Sequence, residues 1–345
     1  MKQPVIKSIL ALLFAGMIGA IFLWPDGERT GEGVTDGDPT TVFTLKGASQ
    51  FDEKHAFTRT LRKFEELVKE YYGKPVEFSL YLNSELGLEK DYFAYMNQGV
   101  SLDYAIVSPS HMSTFSPAAP LMDMPFLFRD LDHWNKVLDG DALKPIVDDV
   151  AAKADILLVG FAGGGTRNLI VNKRVTNMKE LQGLGLRVMG APIQTRIFQA
   201  IKAAPTVIAY SEIYNAIQTG VIDAAENEAA GIRQMKFYEV GPEICLTRHA
   251  ITVRPVAFSG KTFRRLPADL QAAIIRAGRE AGAYGRHLES AEDAAILAEM
   301  EKQGKLRTHP FTERAELLRL AEPVKVAYAK SIKADDVLAA INAVK

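Results

Sequence analysis

From Val42 onward, the apolar and polar residues show strand-like and helix-like periodicities in alternation. Short runs of alternating or continuous apolar residues predict strands, and runs with apolar residues every three or four positions predict amphipathic helices. The first half of the chain carries strands at 42–45, 76–82 and 102–107, with helices at 57–71 and 89–98 between them. This βαβαβ order favours a parallel sheet with ligand sites at the carboxyl ends of its strands.

The same alternation returns after Asp155. Strands are predicted at 156–161, 169–171 and 186–188, and helices at 193–203 and 211–219. Two α/β units of similar size predict a cleft between them, and such clefts are favoured ligand sites.

One very long helix is predicted from Pro267 to Gln303, with Pro267 at its first position and Gly304 as its stop. At about 1.5 Å per residue it spans on the order of 55 Å, which is longer than one small domain. Gly278, Gly282 and Gly285 lower the helix propensity of its middle. We therefore expect a bend there.

Composition narrows the possible functions. A chain of 345 residues can fill two domains, and a net charge of −1 without blocks of like charge gives no sign of nucleic-acid binding. Cys245 is the only cysteine, which excludes an internal disulfide and a cysteine-based zinc site. No histidines pair at metal-ligand spacing, no His-Glu-x-x-His or Gly-x-Ser-x-Gly motif occurs, and no cofactor is expected.

Three consecutive glycines, Gly163 to Gly165, could suggest a phosphate-binding loop. They lack the Gly-Lys-Ser/Thr ending of that loop and do not open a convincing helix. A hinge or a close backbone approach accounts for them better.

The N-terminus predicts export. Lys2 and Lys7 precede an uncharged, mostly apolar run from Ser8 to Trp24. No clear small-x-small cleavage site follows, so segment 1–25 can be a cleaved signal or an inner-membrane anchor. Residues 26–40, rich in Gly, Thr and Asp, read as a linker.

Two arginines, Arg167 and Arg187, stand at element edges among apolar, β-prone residues. Arginine is poorly tolerated in a core unless an acid pairs with it, and neither has an acid at pairing distance within its own element. Each can therefore meet an acid elsewhere in the fold or receive a carboxylate from outside, since the planar guanidinium binds both oxygens at once.

A series of motifs between Gly165 and Asn227 indicates a particular protein family. They are Gly165-Thr166-Arg167, Met178-Lys179-Glu180-Leu181-Gln182-Gly183-Leu184, Arg187-Val188, Ser211-Glu212-Ile213-Tyr214-Asn215-Ala216-Ile217-Gln218 and Ile222-Asp223-Ala224-Ala225-Glu226-Asn227. With further matches such as Asp123-Met124-Pro125-Phe126, this order resembles the solute receptors of tripartite ATP-independent periplasmic (TRAP) transporters. The likeness covers roughly residues 42 to 330.

The resemblance implies an α/β, periplasmic-binding-protein-like fold of two lobes with a ligand cleft between them and a long helix bridging both. We expect residues 41–164 and 253–290 in lobe 1, and 165–252 and 291–345 in lobe 2. It also implies an exported receptor, a periplasmic monomer that binds a small organic acid and delivers it to a TRAP-type permease. Family ligands include dicarboxylates, 2-oxo acids, sugar acids and aromatic acids. A sensory role, and more remotely a lyase or isomerase, stay open.

The family pattern also assigns site residues. Arg187 matches the arginine that pairs with the ligand carboxylate, Arg167 a second basic contact, and Asn227 an amide that binds the same carboxylate. Tyr210 matches an aromatic lining the pocket. In the first lobe, the candidates lie at strand ends or helix starts, and they are Ser49, Gln50, Glu89 and Ser108. Glu89 could equally cap its own helix, since acids favour the first turn.

Overall fold

The computed structural model describes residues 41–345, so the predictions for the export segment and the linker lie outside it. The strands are β1 Phe43–Ala48, β2 Val76–Tyr81, β3 Tyr104–Ile106, β4 Ile156–Val171, β5 Gly185–Val188, β6 Ala204–Val207, β7 Ala224–Asn227, β8 Glu243–Ser259 and β9 Arg307–Pro310. The helices are α1 Ala56–Tyr72, α2 Glu89–Gln98, α3 Leu131–Asp139, α4 Lys144–Ala154, α5 Met178–Leu181, α6 Pro192–Ala200, α7 Ile213–Gln218, α8 Ala229–Gln234, α9 Gly260–Arg265, α10 Ala268–Lys302, α11 Arg314–Ser331 and α12 Asp335–Ala343. None of these described helices is long and apolar enough to cross a membrane.

A single sheet runs through the molecule in the order β2-β1-β3-β8-β4-β7-β5-β6, with β9 paired to β8. The predicted parallel order of the first three strands is confirmed, because β1 pairs in parallel with both β2 and β3. At the other end, β5 pairs in parallel with β6 and β7. We call the half with β1–β3 lobe 1 and the half with β5–β7 lobe 2. The long antiparallel strands β4 and β8 run through both.

Helix α1 shows how the sequence pattern builds lobe 1. Its apolar face, predicted from the spacing of residues such as Phe57, Leu61 and Phe64, is buried in the lobe 1 core. The His55 side chain accepts from the Phe57 N–H at its start, and Gly73 ends it in the left-handed conformation that glycine adopts without strain.

Strand β4 differs from the prediction of two separate strands. It continues through Gly163 to Gly165, where the pairing with β8 shifts register. Gly163 and Gly164 have φ of 114° and 121°, and a Cβ on Gly163 would lie 2.1 Å from the carbonyl oxygen of Thr252. The predicted close backbone approach is therefore present, as a bulge at the point where the sheet passes from one lobe to the other.

Helix α10 confirms the predicted long helix, with Pro267 as its N-cap rather than its first residue. Its first half packs in the lobe 1 core, and Ile296 and Met300 pack in the core of lobe 2. The helix thus bridges both lobes. Asp293 fixes it to lobe 2 by accepting from the backbone N–H groups of Thr166 and Ala229.

The glycines of α10 allow close backbone contacts with β4, and the predicted bend stays a prediction. A Cβ on Gly282 would lie 2.6 Å from the backbone nitrogen of Phe161, and one on Gly278 would lie 2.6 Å from the carbonyl oxygen of Val159. The residues are small because helix and strand backbones touch there, and the helix is continuous over its full length.

The C-terminal helices contact segments that the sequence assigned to lobe 1. On α11, Lys325 Nζ donates to the carbonyl of Phe126 and the Tyr328 hydroxyl donates to that of Pro117, while α11 also packs on α6. The boundaries drawn from the sequence between the two lobes stay a prediction.

Candidate functional site

Arg187 lies near the end of β5 and is buried, with 3% of its surface exposed. Its Nε donates to the Ile208 carbonyl at 2.8 Å, and no carboxylate between residues 41 and 345 forms a salt bridge with it. Burial lowers the pKa of Arg187 to about 10, although Glu226 opposes that shift. The side chain is still a cation at neutral pH. Within residues 41–345 neither of its terminal nitrogens forms a hydrogen bond, so both can donate to a carboxylate.

The guanidinium lines a cavity of about 450 Å³ between the lobes. Its lobe 1 wall combines the polar or charged residues Gln50, Lys90, Asp91, His111, Ser113 and Thr114 with the apolar residues Leu88 and Phe115. The lobe 2 wall carries Arg187 and Tyr210, and the Arg187 Cζ lies 5.9 Å from the centre of the Tyr210 ring. A cavity of this size suits a small ligand.

Arg167, on β4, is paired inside the protein. It binds Glu226 through Nε and Nη2, and Glu228 through Nη1 at 2.7 Å. With a further bond to the Glu226 carbonyl, four of the five N–H donors of a guanidinium are used. Burial would lower its pKa, but the two acids raise it above its usual value. Of the two interpretations left open by the sequence, Arg167 therefore meets acids of its own fold, with one N–H to spare.

Glu226 connects Arg167 to further groups. Its Oε2 lies 3.2 Å from His249 Nε2, and Thr247 Oγ1 lies 2.8 Å from His249 Nδ1. Burial lowers the pKa of His249, which keeps the imidazole neutral. Because a carboxylate only accepts, His249 Nε2 carries the proton and Thr247 donates to Nδ1.

Asn227 follows Glu226 at the end of β7, and its Nδ2 donates to the Tyr210 hydroxyl at 3.0 Å. Tyr210 lines the interlobe cavity. The structure thus brings Arg187, Tyr210 and Asn227 together, with Arg167 behind them.

Glu89 opens α2 and is held by lobe 1 itself. Arg254 Nη1 donates to both of its oxygens, at 2.8 and 2.9 Å, and the backbone N–H of Ser108 donates to Oε2. Burial alone would raise its pKa, but the Arg254 guanidinium and the His111 imidazole bring it down to about 2. The buried carboxylate is thus already paired, and it supports neighbouring side chains rather than lying open in the cavity.

The serines of lobe 1 are also engaged internally. Ser49 shares a 2.7 Å hydrogen bond with Thr58 and is fully buried. The Ser108 hydroxyl donates to Asp123 at 2.6 Å and lines a small enclosed space that also touches Arg167. Gln50 does line the interlobe cavity.

Sequence reasoning missed three contributors here, namely Arg254, His111 and His249. Arg254 interrupts an apolar stretch of β8 in the same manner as Arg167 does in β4, so the same signal was present. The histidines carry no local pattern, because their partners Glu89 and Glu226 come from other elements. No group of acids, histidines and cysteines in the described part of the chain could hold a metal ion.

Comparison with known sequences gives the context of this site. Residues 48–334 match the profile of the family described as bacterial extracellular solute-binding protein, family 7. A solute-binding protein from Sulfitobacter sp. (strain NAS-14.1) is 59% identical over 299 residues, which cover 87% of this chain and 91% of that protein.

Solved structures agree. A TRAP periplasmic solute-binding protein from Sulfitobacter sp., crystallised with α-D-taluronate, is 59% identical, with a TM-score of 0.85 over 87% of this chain and 97% of the other. One from Sulfurospirillum deleyianum, with bound succinate, is 28% identical, with a TM-score of 0.80 over 88% and 99%.

Proposed function

The chain belongs to family 7 of the bacterial extracellular solute-binding proteins, the receptors of TRAP transporters, and we propose that its ligand is a sugar acid of the hexuronate class. Like its family, it is a periplasmic receptor that takes hold of an organic acid through the carboxylate.

The buried charge of Arg187 carries the proposal. A buried arginine without an acidic partner in the described chain is costly, because the charge has lost its hydration without gaining a counter-ion. A ligand carboxylate against its two terminal nitrogens supplies that counter-ion in the paired geometry that guanidinium favours. In this arrangement Asn227 Nδ2 and the spare N–H of Arg167 add weaker contacts, and the Tyr210 ring packs against the ligand.

The cavity wall opposite Arg187 supports a hydroxylated ligand. Gln50, His111, Ser113 and Thr114 bring amide, imidazole and hydroxyl groups to that wall, and these groups can bind ligand hydroxyls but would be left without partners by an aromatic or alkyl acid. The Sulfitobacter relative at 59% identity holds α-D-taluronate, which has this chemistry. Of the lobe 1 candidates, Glu89 and Ser108 act from behind this wall, because Glu89 holds His111 and the Ser108 N–H holds Glu89, whereas Ser49 bonds Thr58 away from the wall.

Calorimetry with matched ligands tests the proposal. D-Taluronate or another hexuronate should bind, whereas the corresponding hexose, which lacks only the carboxylate, should not. Succinate and benzoate complete the set as a dicarboxylate and an aromatic acid. Equal binding of the hexose would refute the role of the carboxylate, and preference for succinate would refute the sugar-acid class.

Delivery to a TRAP-type permease follows from the family, and we propose that the receptor works as a monomer that binds without chemical turnover. A proton NMR spectrum of bound and released ligand should show the acid unchanged, and any product would indicate a lyase or isomerase. Growth on the acid should require both the receptor and the permease. If the receptor were purely sensory, its deletion would leave uptake of the acid intact.

We also propose that segment 1–25 exports the protein and keeps part of it at the inner membrane. Intact-mass analysis of the purified protein decides between the two forms. A single new N-terminus within residues 26–40 would reject the anchor.

A further inference from the structure

His111 is the imidazole on the lobe 1 wall of the interlobe cavity. It lies in the short 3₁₀ helix Pro109–Met112 that follows β3, and its side chain is 18% exposed. It shares the cavity with Arg187, which lies across the cleft on lobe 2. The two side chains therefore face one ligand from opposite lobes.

The hydrogen bond to Glu89 fixes which nitrogen of His111 is available. Nδ1 lies 3.1 Å from Glu89 Oε2, an ionised carboxylate that can only accept, so Nδ1 carries a proton. In the neutral imidazole, Nε2 then has a lone pair and no hydrogen. No residue from 41 to 345 forms a hydrogen bond or ion pair with Nε2.

Glu89 is itself held by other residues, and this fixes the orientation of the His111 imidazole toward the ligand. Arg254 on β8 and the backbone N–H of Ser108 occupy the same carboxylate. A side chain held in this way presents its free nitrogen at a fixed place.

We propose that His111 reads the end of the ligand remote from the carboxylate, and that its free Nε2 selects a hydroxyl there over a second carboxylate. This inference rests on the proposed sugar-acid function and adds the residue that sets its specificity. A hydroxyl donates to the Nε2 lone pair, whereas a carboxylate brings only acceptor oxygens against it and places its negative charge near Glu89. The site therefore favours hexuronates over hexaric acids and simple dicarboxylates.

The test compares two ligands in three proteins. A hexuronate and the hexaric acid with a second carboxylate at C1 are titrated into the wild type, His111→Asn and His111→Lys. Asparagine can keep the donor to Glu89 but has nothing at the position of Nε2. Lysine supplies a permanent cation that donates only. His287→Asn, an exposed histidine on α10 outside the cleft, is the matched control.

The wild type should prefer the hexuronate by about tenfold or more. His111→Asn should weaken hexuronate binding by about five- to fifty-fold, the cost of leaving a ligand hydroxyl unpaired, and the preference should shrink. His111→Lys should shift the preference toward the hexaric acid, and His287→Asn should change neither affinity. Thermal unfolding of each variant confirms that it is folded.

Three results would overturn the inference: equal hexuronate affinity in folded His111→Asn, an unchanged preference in His111→Lys, or a wild type that prefers the hexaric acid. Failure of the proposed function looks different, because the wild type would then bind no hexuronate at all.

Discussion

At the scale of single residues, two arginines with the same sequence signal have different surroundings. Arg167 is neutralised by Glu226 and Glu228, and Arg187 has no acid against it within residues 41–345. We infer that a ligand carboxylate neutralises Arg187, whereas Arg167 is neutralised within the protein. The difference leads to a prediction about binding.

Replacing Arg187 should weaken binding of the acid without unfolding the receptor. Arg187→Ala removes the partner of a buried carboxylate, and the expected cost is ~2–5 kcal/mol, or about 30-fold to several-thousand-fold in Kd. Arg187→Lys keeps the charge but loses the planar pair of donors, so it should also bind more weakly. Calorimetry measures both variants, and Arg196→Ala, on the outer helix α6, serves as the arginine control. Wild-type affinity in folded Arg187→Ala would exclude the clamp.

Stability should depend on pH with opposite signs for two sets of acids. The pKa values of Glu89 and Glu226 are lowered to about 2, so their contribution is complete above about pH 4.5 and is lost as pH falls toward 2. The pKa of Asp293 is raised to about 6, because burial outweighs its two backbone hydrogen bonds. Its contribution is complete below about pH 4 and is lost as pH rises through 6.

Urea unfolding of the ligand-free protein should therefore give a maximum of stability near pH 4.5, a gradual decline from there through pH 6 and a steep fall below pH 4.5. Glu89→Gln should be less stable at pH 7, because it leaves Arg254 without its counter-charge, but its acidic limb should be shallower. An acidic limb with the wild-type slope in that variant would show that Glu89 does not titrate as described.

The sequence could indicate two arginines as candidates for the site, but it could not show which of them has an acidic partner in the folded protein. The acids that pair with Arg167 stand 59 and 61 positions away, in a different strand and the turn after it. Only the pairing of β4 with β7 brings them together. For the same reason the sequence did not reveal His111, because its orientation depends on a carboxylate in another helix.

At the scale of elements, periodicity located most helices and strands, and it failed where backbones touch. It split β4 at Gly163 to Gly165, because glycines remove the alternation of side chains on which strand prediction depends. The low helix propensity of glycine made the middle of α10 look weak, although Gly160 of β4 packs directly against Gly278. The two cases have one cause, since a small residue that a tertiary contact requires has the same sequence signal as a locally flexible one.

Gly282→Ala tests this view of α10. Helix propensity alone would favour alanine by about 1 kcal/mol. The added methyl would lie 2.6 Å from the backbone nitrogen of Phe161 and 2.8 Å from its carbonyl oxygen, so overpacking at about 1–3 kcal/mol should prevail. Urea unfolding should show a net loss of stability. His287→Ala, on an exposed position of the same helix, should stay within about 0.5 kcal/mol of wild type. A stabilised Gly282→Ala would restore the flexibility interpretation.

At the scale of the whole molecule, the site is assembled from two lobes that share one sheet. Arg187 and Tyr210 come from lobe 2, and Gln50 and His111 from lobe 1. The lobes are joined by β4, β8 and α10. A ligand that touches both walls is more favourably bound when they approach, so binding should shift the molecule toward a closed form.

Distance measurements between spin labels can detect this closure. Glu85 follows the edge strand β2 of lobe 1 and Glu212 follows the edge strand β6 of lobe 2, and both are exposed. Because Cys245 is fully buried, cysteines introduced at these two positions can be labelled selectively. Addition of a saturating hexuronate should shift the distance distribution across the cleft toward shorter values. A pair within lobe 1, at Lys54 and Glu85, should keep its distance.

The same labels distinguish the approach of the two lobes from binding of the carboxylate by Arg187. In Arg187→Ala the ligand loses its main hold on lobe 2, so the cross-lobe distance should stay that of the free receptor at ligand concentrations that close the wild type. If the distance never changes while the wild type binds tightly, the cavity is preformed, and α10 and the β4–β8 pair act as a rigid frame. In that case Arg187 would still hold the carboxylate, but recognition by the permease could not depend on a change in the angle between the lobes.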